Sequence, residues 1–275
     1  ERQVRSLPEA TRPTGAKTKS GAGSQAFMVM LEALAAKAGN SSTPEPMQLA
    51  ARSGELRIGF VLDYQLISGT ATDYRLKGDT TYYISDGFWA HYLGIEGGTV
   101  VKIQEAAILS CHGVVCLTEP YRPAFITSKH DDTVGEFIPG SNGLTDYYYP
   151  DVGLLVDFSP FIHDIRFRHV WQAISCGWET QPGWISNCQF TDCGIAITAE
   201  ARGPASPLTV TVENCLFNEC QYIFMGHHTA FSGEHLTINQ VGTIAYDWWQ
   251  TASLTATLRN SVLANVQQLV SGSDP

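Results

Sequence analysis

Tryptophan, histidine and carboxylate side chains recur at one position of a repeating sequence. Counting 12 and 13 residues from the start of successive repeats reaches Gly177/Trp178, Glu200/Ala201, His227/His228 and Trp248/Trp249, with Glu179 and Asp247 beside them. Indole faces can stack on sugar rings, while imidazoles and carboxylates can orient sugar hydroxyl groups. We therefore predict a glycan-binding groove formed by Trp178, Glu179, Glu200, His227, His228, Asp247, Trp248 and Trp249. The alternative is that Trp248 and Trp249 fill a corner of the fold.

The repeat itself is most visible at its cysteines. Residues Asn187–Cys193 (NCQFTDC) recur 27 residues later as Asn214–Cys220 (NCLFNEC). Matching apolar residues place the repeat starts at 165, 188, 215, 236 and 261, with steps of 23, 27, 21 and 25 residues. A period in this range is typical of stacked structural units.

The apolar residues within each repeat predict short strands. They occupy the repeat start and the positions two, five and eight residues later. The first two share one face of a strand, and the break in alternation indicates a corner followed by a second strand. Leucine-rich repeats would carry leucine at most of these positions, whereas this chain uses Cys, Phe, Ile, Val and Ala. The pattern favours stacked coils of parallel strands.

On these residues the chain resembles the right-handed parallel β-helix family, which includes pectate-lyase-like enzymes, phage tailspikes and many bacterial surface proteins. The resemblance covers roughly residues 80–271. Glu96–Thr99 and Tyr121–Asp132 also look like segments of secreted bacterial β-helix proteins of unassigned role. The resemblance implies an all-β fold, a right-handed parallel β-helix (solenoid), and it says little about function.

Three zones divide the chain. Residues 1–23 are rich in basic residues, Pro and Gly, which predicts a linker or arm. Residues 24–55 are predicted to hold a short N-terminal capping α-helix, Ser24–Ala38, and a connection, with an oligomerisation helix as the alternative. Residues 56–275 are predicted to form the β-helix, with a loop excursion near 132–151. Because the sequence begins with Glu, we expect a chain processed or cut from a longer precursor.

The seven cysteines leave their redox state open. The repeat places Cys188 under Cys215 and Cys193 under Cys220, about 4.8 Å apart. We interpret them as small buried apolar side chains. Cross-coil disulfides are the alternative, since the Cα separation they require is about 4.4–6.8 Å. A zinc site is the weakest interpretation, because inward ladders leave no room for an ion.

The charge distribution restricts the ligand class. The net charge is −10, and residues after 23 carry 12 basic against 25 acidic side chains, or −13. Such a surface repels nucleic acid and anionic lipid. A polyanion would bind only through calcium bridging the carboxylates, so a neutral glycan is favoured. We expect no membrane span, because no apolar run reaches about 18 residues.

Catalytic motifs of the family are fragmentary. Asp131-Asp132 is an acidic pair, which we interpret as a solvated turn, and Gly226-His227-His228 resembles a hydrolase Gly-His motif. The 95 residues between them predict about four coils, roughly 19 Å, beyond the ~5–9.5 Å used in glycoside hydrolysis. Arg166 and Arg168 alternate with inward residues and point outward, where a lyase base would project. No matching carboxylate cluster is evident in neighbouring coils.

Three function classes follow. The favoured one is a non-catalytic extracellular or cell-surface β-helix protein with a structural, adhesive or glycan-binding role. The alternatives are a carbohydrate-active enzyme, a polysaccharide lyase or glycoside hydrolase, and a subunit of a larger extracellular assembly. The predicted partners are a glycan or cell-surface polymer and, at the C-terminal coil, a second copy or a neighbouring subunit. No cofactor is predicted, and calcium is the ion to test.

Overall fold

The fold is an all-β parallel solenoid of about eight turns. The structure is a computed structural model that describes residues 63–145, 150–158, 160–177, 183–201, 208–247 and 254–271. Every described residue lies within Gly59–Pro275, the second of the two units into which the chain divides. The predicted arm, the capping helix Ser24–Ala38 and its connection therefore lie outside the described residues.

Three faces run along the solenoid. Face 1 contains β3 (Val100–Ile103), β5 (Ala124–Ser128), β8 (Ile165–Arg168), β11 (Gln189–Thr191) and β14 (Leu216–Asn218). Face 2 contains β4 (Ile108–Leu117), β6 (Val152–Val156), β9 (Gln172–Cys176), β12 (Ile195–Glu200) and β15 (Tyr222–His227). Face 3 contains β7 (Phe161–His163), β10 (Gly183–Ser186), β13 (Leu208–Glu213), β16 (Thr229–Glu234) and β18 (Thr255–Arg259).

Four long strands join faces 1 and 2 into one continuous sheet. They are β1 (Tyr64–Leu76), β2 (Thr81–Glu96), β17 (Thr237–Asp247) and β19 (Val262–Ser271). Face 3 is a separate five-stranded sheet. The named strands pair in parallel throughout, as stacked coils require.

The strand register confirms the repeat found in the sequence. Along face 1, Arg166, Gln189, Leu216, Thr237 and Val262 are successive Cα partners. Their numbers differ by the same 23, 27, 21 and 25 residues that separate the repeat starts. Coils of unequal length stack in register because their extra residues lie in the loops between faces, outside the strands.

The interior is filled by ladders of like side chains. Phe167, Phe190 and Phe217 stack one above another, with ring centroids 5.2 and 4.9 Å apart and planes within 4°. All three rings are fully buried. Since the strand spacing is about 4.8 Å, an inward aromatic residue repeated once per coil stacks on its equivalents without further adjustment. This ladder belongs to the hydrophobic core.

Left-handed residues turn the chain at two corners. At the corner from face 3 to face 1, Asp164, Asn187, Asn214, His235 and Asn260 have φ between 49° and 57°. A second series with the same φ range turns the chain from face 1 to face 2: His169, Asp192, Glu219, Gln240 and Asn265. Asn and Asp tolerate this conformation better than other residues with a Cβ. The Asn187 and Asn214 of the sequence repeat therefore have a backbone role.

The cysteines that follow these corner residues are buried and form no disulfide. All seven cysteines are free and buried. The Cys188 and Cys215 thiols donate to the carbonyls of Ser186 and Glu213, two residues earlier, each at 3.3 Å. Ser261, at the equivalent position of the last coil, donates its hydroxyl to the Arg259 carbonyl at 2.7 Å. The side chain at this position thus adds a second hydrogen bond to the last carbonyl of face 3, which also accepts the backbone amide of the corner residue in the preceding coil.

The predicted loop excursion lies between β5 and β6, and its described part packs on the outside of face 1. The backbone amide of Glu136 donates to Thr81 Oγ1 at 3.0 Å, and Ile138 is fully buried. Asp131, at the start of this loop, is also fully buried. The interpretation of Asp131-Asp132 as a solvated turn is therefore wrong for Asp131, because the loop folds back over it, whereas Asp132 is exposed.

Candidate functional site

The predicted groove residues that the structure describes lie together at the corner from face 2 to face 3. Glu200, at the end of β12, is the Cα partner of His227, at the end of β15. Asp247, at the end of β17, places Oδ1 3.7 Å from His227 Nδ1. The His228 ring centroid lies 3.9 Å from that of His227. The structure therefore brings Glu200, His227, His228 and Asp247 to one corner.

The described part of this corner has little free space. A cavity of about 30 Å³ is lined by Thr198, Ala199, Glu200, Met225, Gly226 and His227, which is room for a water molecule or two. Asp247 is buried, and the His227 side chain is only 16% exposed. Trp178, Glu179, Trp248 and Trp249 lie outside the described residues. The stacking part of the predicted groove therefore stays a prediction.

A larger concave surface lies at the corner from face 3 to face 1. Its volume is about 580 Å³, and it follows the left-handed residues Asp164, Asn187, Asn214 and His235 from coil to coil. Four stacked coils span roughly 14 Å, which is long enough for several linked sugar rings. We call this surface the corner cleft; the rest of its lining is Pro120, Cys188, Gln189, Cys215, Leu216 and Thr237.

Apart from the buried Asp164 carboxylate, the polar groups that line the corner cleft are mainly amides and a hydroxyl. The Asn214 side-chain amide donates to Asn187 Oδ1 at 2.7 Å, which orders two adjacent amides along the cleft. Gln189 and Thr237 add an amide and a hydroxyl, and no Lys or Arg is among the lining residues that the structure describes. An amide both donates and accepts hydrogen bonds, so this lining complements the hydroxyl groups of a neutral ligand.

Asp164 anchors one end of the cleft. Its carboxylate is buried, and Oδ2 lies 2.8 Å from Nδ1 of His163. Thr118 donates its hydroxyl to the His163 carbonyl at 2.7 Å. These contacts hold the His163 ring and the left-handed Asp164 in place, so this end of the cleft is pre-organised.

One buried lysine is not among the residues predicted from the sequence. Lys102 lies between Val101 and Ile103 on β3, in an outward row with Thr127 and Arg168. Its side chain is fully buried, and its Nζ has no hydrogen-bond partner among the residues that the structure describes. Burial lowers the pKa of Lys102, although the carboxylates of the covering loop oppose that shift. The feature of the sequence that could have indicated this burial is a lysine flanked by apolar residues within a strand.

The same row brings Arg168 and Asp131 together. Arg168 Nη1 lies 3.8 Å from Asp131 Oδ2, and Thr127 donates its hydroxyl to that oxygen at 2.9 Å. Burial alone would raise the pKa of Asp131, but hydrogen bonds from Thr133 and Thr127, with the Arg168 charge, lower it. The sequence predicted no carboxylate cluster matching Arg168 in neighbouring coils, and the one carboxylate that the structure brings to it, Asp131, comes from the residues between β5 and β6, which fold back over face 1.

The hydrolase-like pair stays separated in the structure. Asp131 follows β5 on face 1, whereas His227 ends β15 on face 2, three strand positions along the solenoid. Three spacings amount to roughly 14 Å along the axis. This distance is shorter than the sequence predicted, because the residues of the loop excursion were counted there as one further coil. The separation still exceeds that of paired glycosidase carboxylates, about 9.5 Å at most.

Comparison with known proteins adds no family assignment. The chain matches no model of a protein family, and no curated protein is similar to it in sequence. The resemblance to pectate-lyase-like proteins is carried by the parallel β-solenoid alone. Among the described residues, no helix is long and apolar enough to cross a membrane, and no group of three His, Cys, Asp or Glu side chains could hold a metal ion. Calcium binding stays untested.

Proposed function

We propose that this protein is an extracellular glycan-binding β-solenoid and that its ligand is a neutral oligosaccharide or polysaccharide held in the corner cleft. The observation that carries the proposal is the cleft of about 580 Å³ with ordered amides along its length. A volume in this range accommodates small-molecule ligands of several hundred cubic ångströms. The absence of Lys and Arg from the described lining supports a neutral ligand over a polyanion.

The ordering of the cleft supports binding without a large conformational cost. Asn187 and Asn214 are fixed by left-handed backbone turns and by their mutual hydrogen bond. Side chains already held in place lose little rotamer entropy when a ligand binds. A rigid ladder of donors and acceptors also selects ligands whose hydroxyl groups repeat along a chain.

A glycan array with the purified chain, with and without calcium, tests the proposal. We expect retention of at least one neutral glycan. Asn214→Gly should weaken it about tenfold or more by removing an amide, while glycine keeps the left-handed φ. Asn265→Gly, at the other corner, is the matched control and should bind normally. No retained neutral glycan, or equal binding by Asn214→Gly and the parent, would refute the proposal.

The extracellular placement is supported by the resemblance to secreted β-helix proteins. Antibody labelling of intact, unpermeabilised source cells, or recovery from the culture medium, tests it. Labelling seen only after permeabilisation would exclude it. A product assay on each array hit, for reducing sugar and for unsaturated ends, separates binding from the lyase and hydrolase alternatives.

Self-association is a second candidate function, favoured by the last strand. β19 exposes Val262, Leu263, Leu269 and Val270, which are 41–64% accessible. In the described part of the chain, β19 pairs with β17 along one edge. An exposed apolar edge strand is a template for a further strand. Light scattering over a range of concentrations should show dimers that Leu269→Glu dissociates, and a monomer at every concentration would exclude this candidate.

A further inference from the structure

A two-residue turn projects beside the corner cleft. The backbone amide of Arg122 donates to the Glu119 carbonyl at 2.9 Å, and the Glu119 amide donates back to the Arg122 carbonyl at 3.4 Å. Pro120 and Tyr121 are the two central residues of this turn. Pro120 lines the cleft, and Tyr121 is 100% exposed.

The turn is held firmly at its base. The Arg122 guanidinium contacts the Asp79 carboxylate at 2.5 Å, and the Gly98 amide donates to the Pro123 carbonyl at 3.0 Å. At Gly97 the approach is so close that a Cβ would lie 2.2 Å from the Arg122 carbonyl oxygen. The backbone that carries Tyr121 is therefore packed against the preceding coils.

We propose that Tyr121 is a ligand-binding residue that stacks its ring on a sugar at the Pro120 and Asp164 end of the cleft. This inference rests on the proposed glycan function. A phenol on a rigid turn presents an apolar face and a polar tip, and its backbone needs no ordering when the ligand arrives. The amides of the cleft supply hydrogen bonds, and Tyr121 adds a large ring for stacking, since no Phe, Tyr or Trp is among the described lining residues.

Affinity measurements on three variants test the inference. The probes are neutral tetrasaccharides of the β-glucan, xylan, mannan and chitin series, titrated into the full chain by calorimetry. For the probe that binds best, Tyr121→Ala should raise Kd about tenfold, as expected for an aromatic contact residue. Tyr121→Phe should keep the parent affinity because the ring is retained. Phe137→Ala removes another exposed ring, 59% accessible on the loop over face 1, and should have no effect.

The outcomes separate this inference from the proposed function. Because Tyr121 is fully exposed, its variants should unfold at the parent temperature, so a lost affinity reports the contact itself. Parent affinity in Tyr121→Ala together with weak binding by Asn214→Gly would overturn the role of Tyr121 and leave the cleft assignment standing. If none of the tetrasaccharides binds the parent chain, the glycan function itself fails. If Asn214→Gly and Tyr121→Ala both bind as the parent does, the glycan lies elsewhere on the chain, and both the cleft assignment and the role of Tyr121 fail.

Discussion

Replacing Lys102 by methionine should stabilise the protein at neutral pH. The Lys102 amine is fully buried beneath the loop that follows β5, and its Nζ has no hydrogen-bond partner in the described structure. Methionine keeps an unbranched side chain of similar length that fills irregular space well, and it removes the buried charge. The same replacement at the exposed Lys77 is the matched control.

The magnitude follows from the cost of an unsatisfied buried polar group. That cost is about 1–3 kcal/mol, and more for a charged group. Nearby Asp131, Asp132 and Glu136 recover part of it by attraction. We therefore expect Lys102→Met to raise the free energy of unfolding by about 1–3 kcal/mol. In a chain of this size, each kcal/mol corresponds to a rise of about 2–4 °C in Tm.

The pH dependence gives an independent test. In the folded chain the pKa of Lys102 is lowered from its ordinary value of 10.5. Between the two pKa values the unfolded chain binds more protons, so the stability of the parent rises with pH through that interval. The advantage of Lys102→Met should therefore be largest below the folded pKa and shrink as the pH approaches 10.5. Urea unfolding across this pH range measures both effects.

Two results would refute this reasoning. One is a Lys102→Met variant that is less stable than the parent at neutral pH, since the amine would then contribute a favourable contact. The other is a difference between parent and variant that stays constant up to pH 10.5. Lys77→Met should change stability by no more than about 0.5 kcal/mol at any pH.

Three further predictions concern the core, the thiols and the predicted groove. Phe190→Ala, in the middle of the aromatic ladder, should lower the free energy of unfolding by about 3–5 kcal/mol, as measured by urea unfolding. A loss as small as that of the exposed control Phe137→Ala would contradict this prediction. Iodoacetamide should label the native cysteines very slowly, because all are buried and burial raises the pKa of Cys116 and Cys176 to about 12; seven labels should appear in denaturant, and fast native labelling would count against the burial. Trp249→Ala should weaken glycan retention about tenfold if the groove predicted from the sequence binds sugar, and unchanged retention would remove that groove from the binding surface.

The corner residues show how far outward contacts could be anticipated. Glu200 and His227 are Cα partners because each lies 12 residues from a repeat start, and Asp247, 11 residues from its repeat start, is the Cα partner of the neighbouring Gly226. The position in the repeat does not predict how much space surrounds these side chains. Their cavity of about 30 Å³ follows from how neighbouring coils pack. Residue position was therefore predictable, and the shape of the surface was not.

The amino-acid sequence by itself determined the stacking of this protein. Inward side chains such as Phe190 and Cys188 must meet their equivalents in the next coil, so burial imposes a periodic pattern that can be read from residue types. Only the tertiary structure decided that Lys102 is buried and that the turn carrying Tyr121 borders the corner cleft. Outward side chains carry no such periodic constraint, because their surroundings depend on how loops of unequal length fold over neighbouring coils.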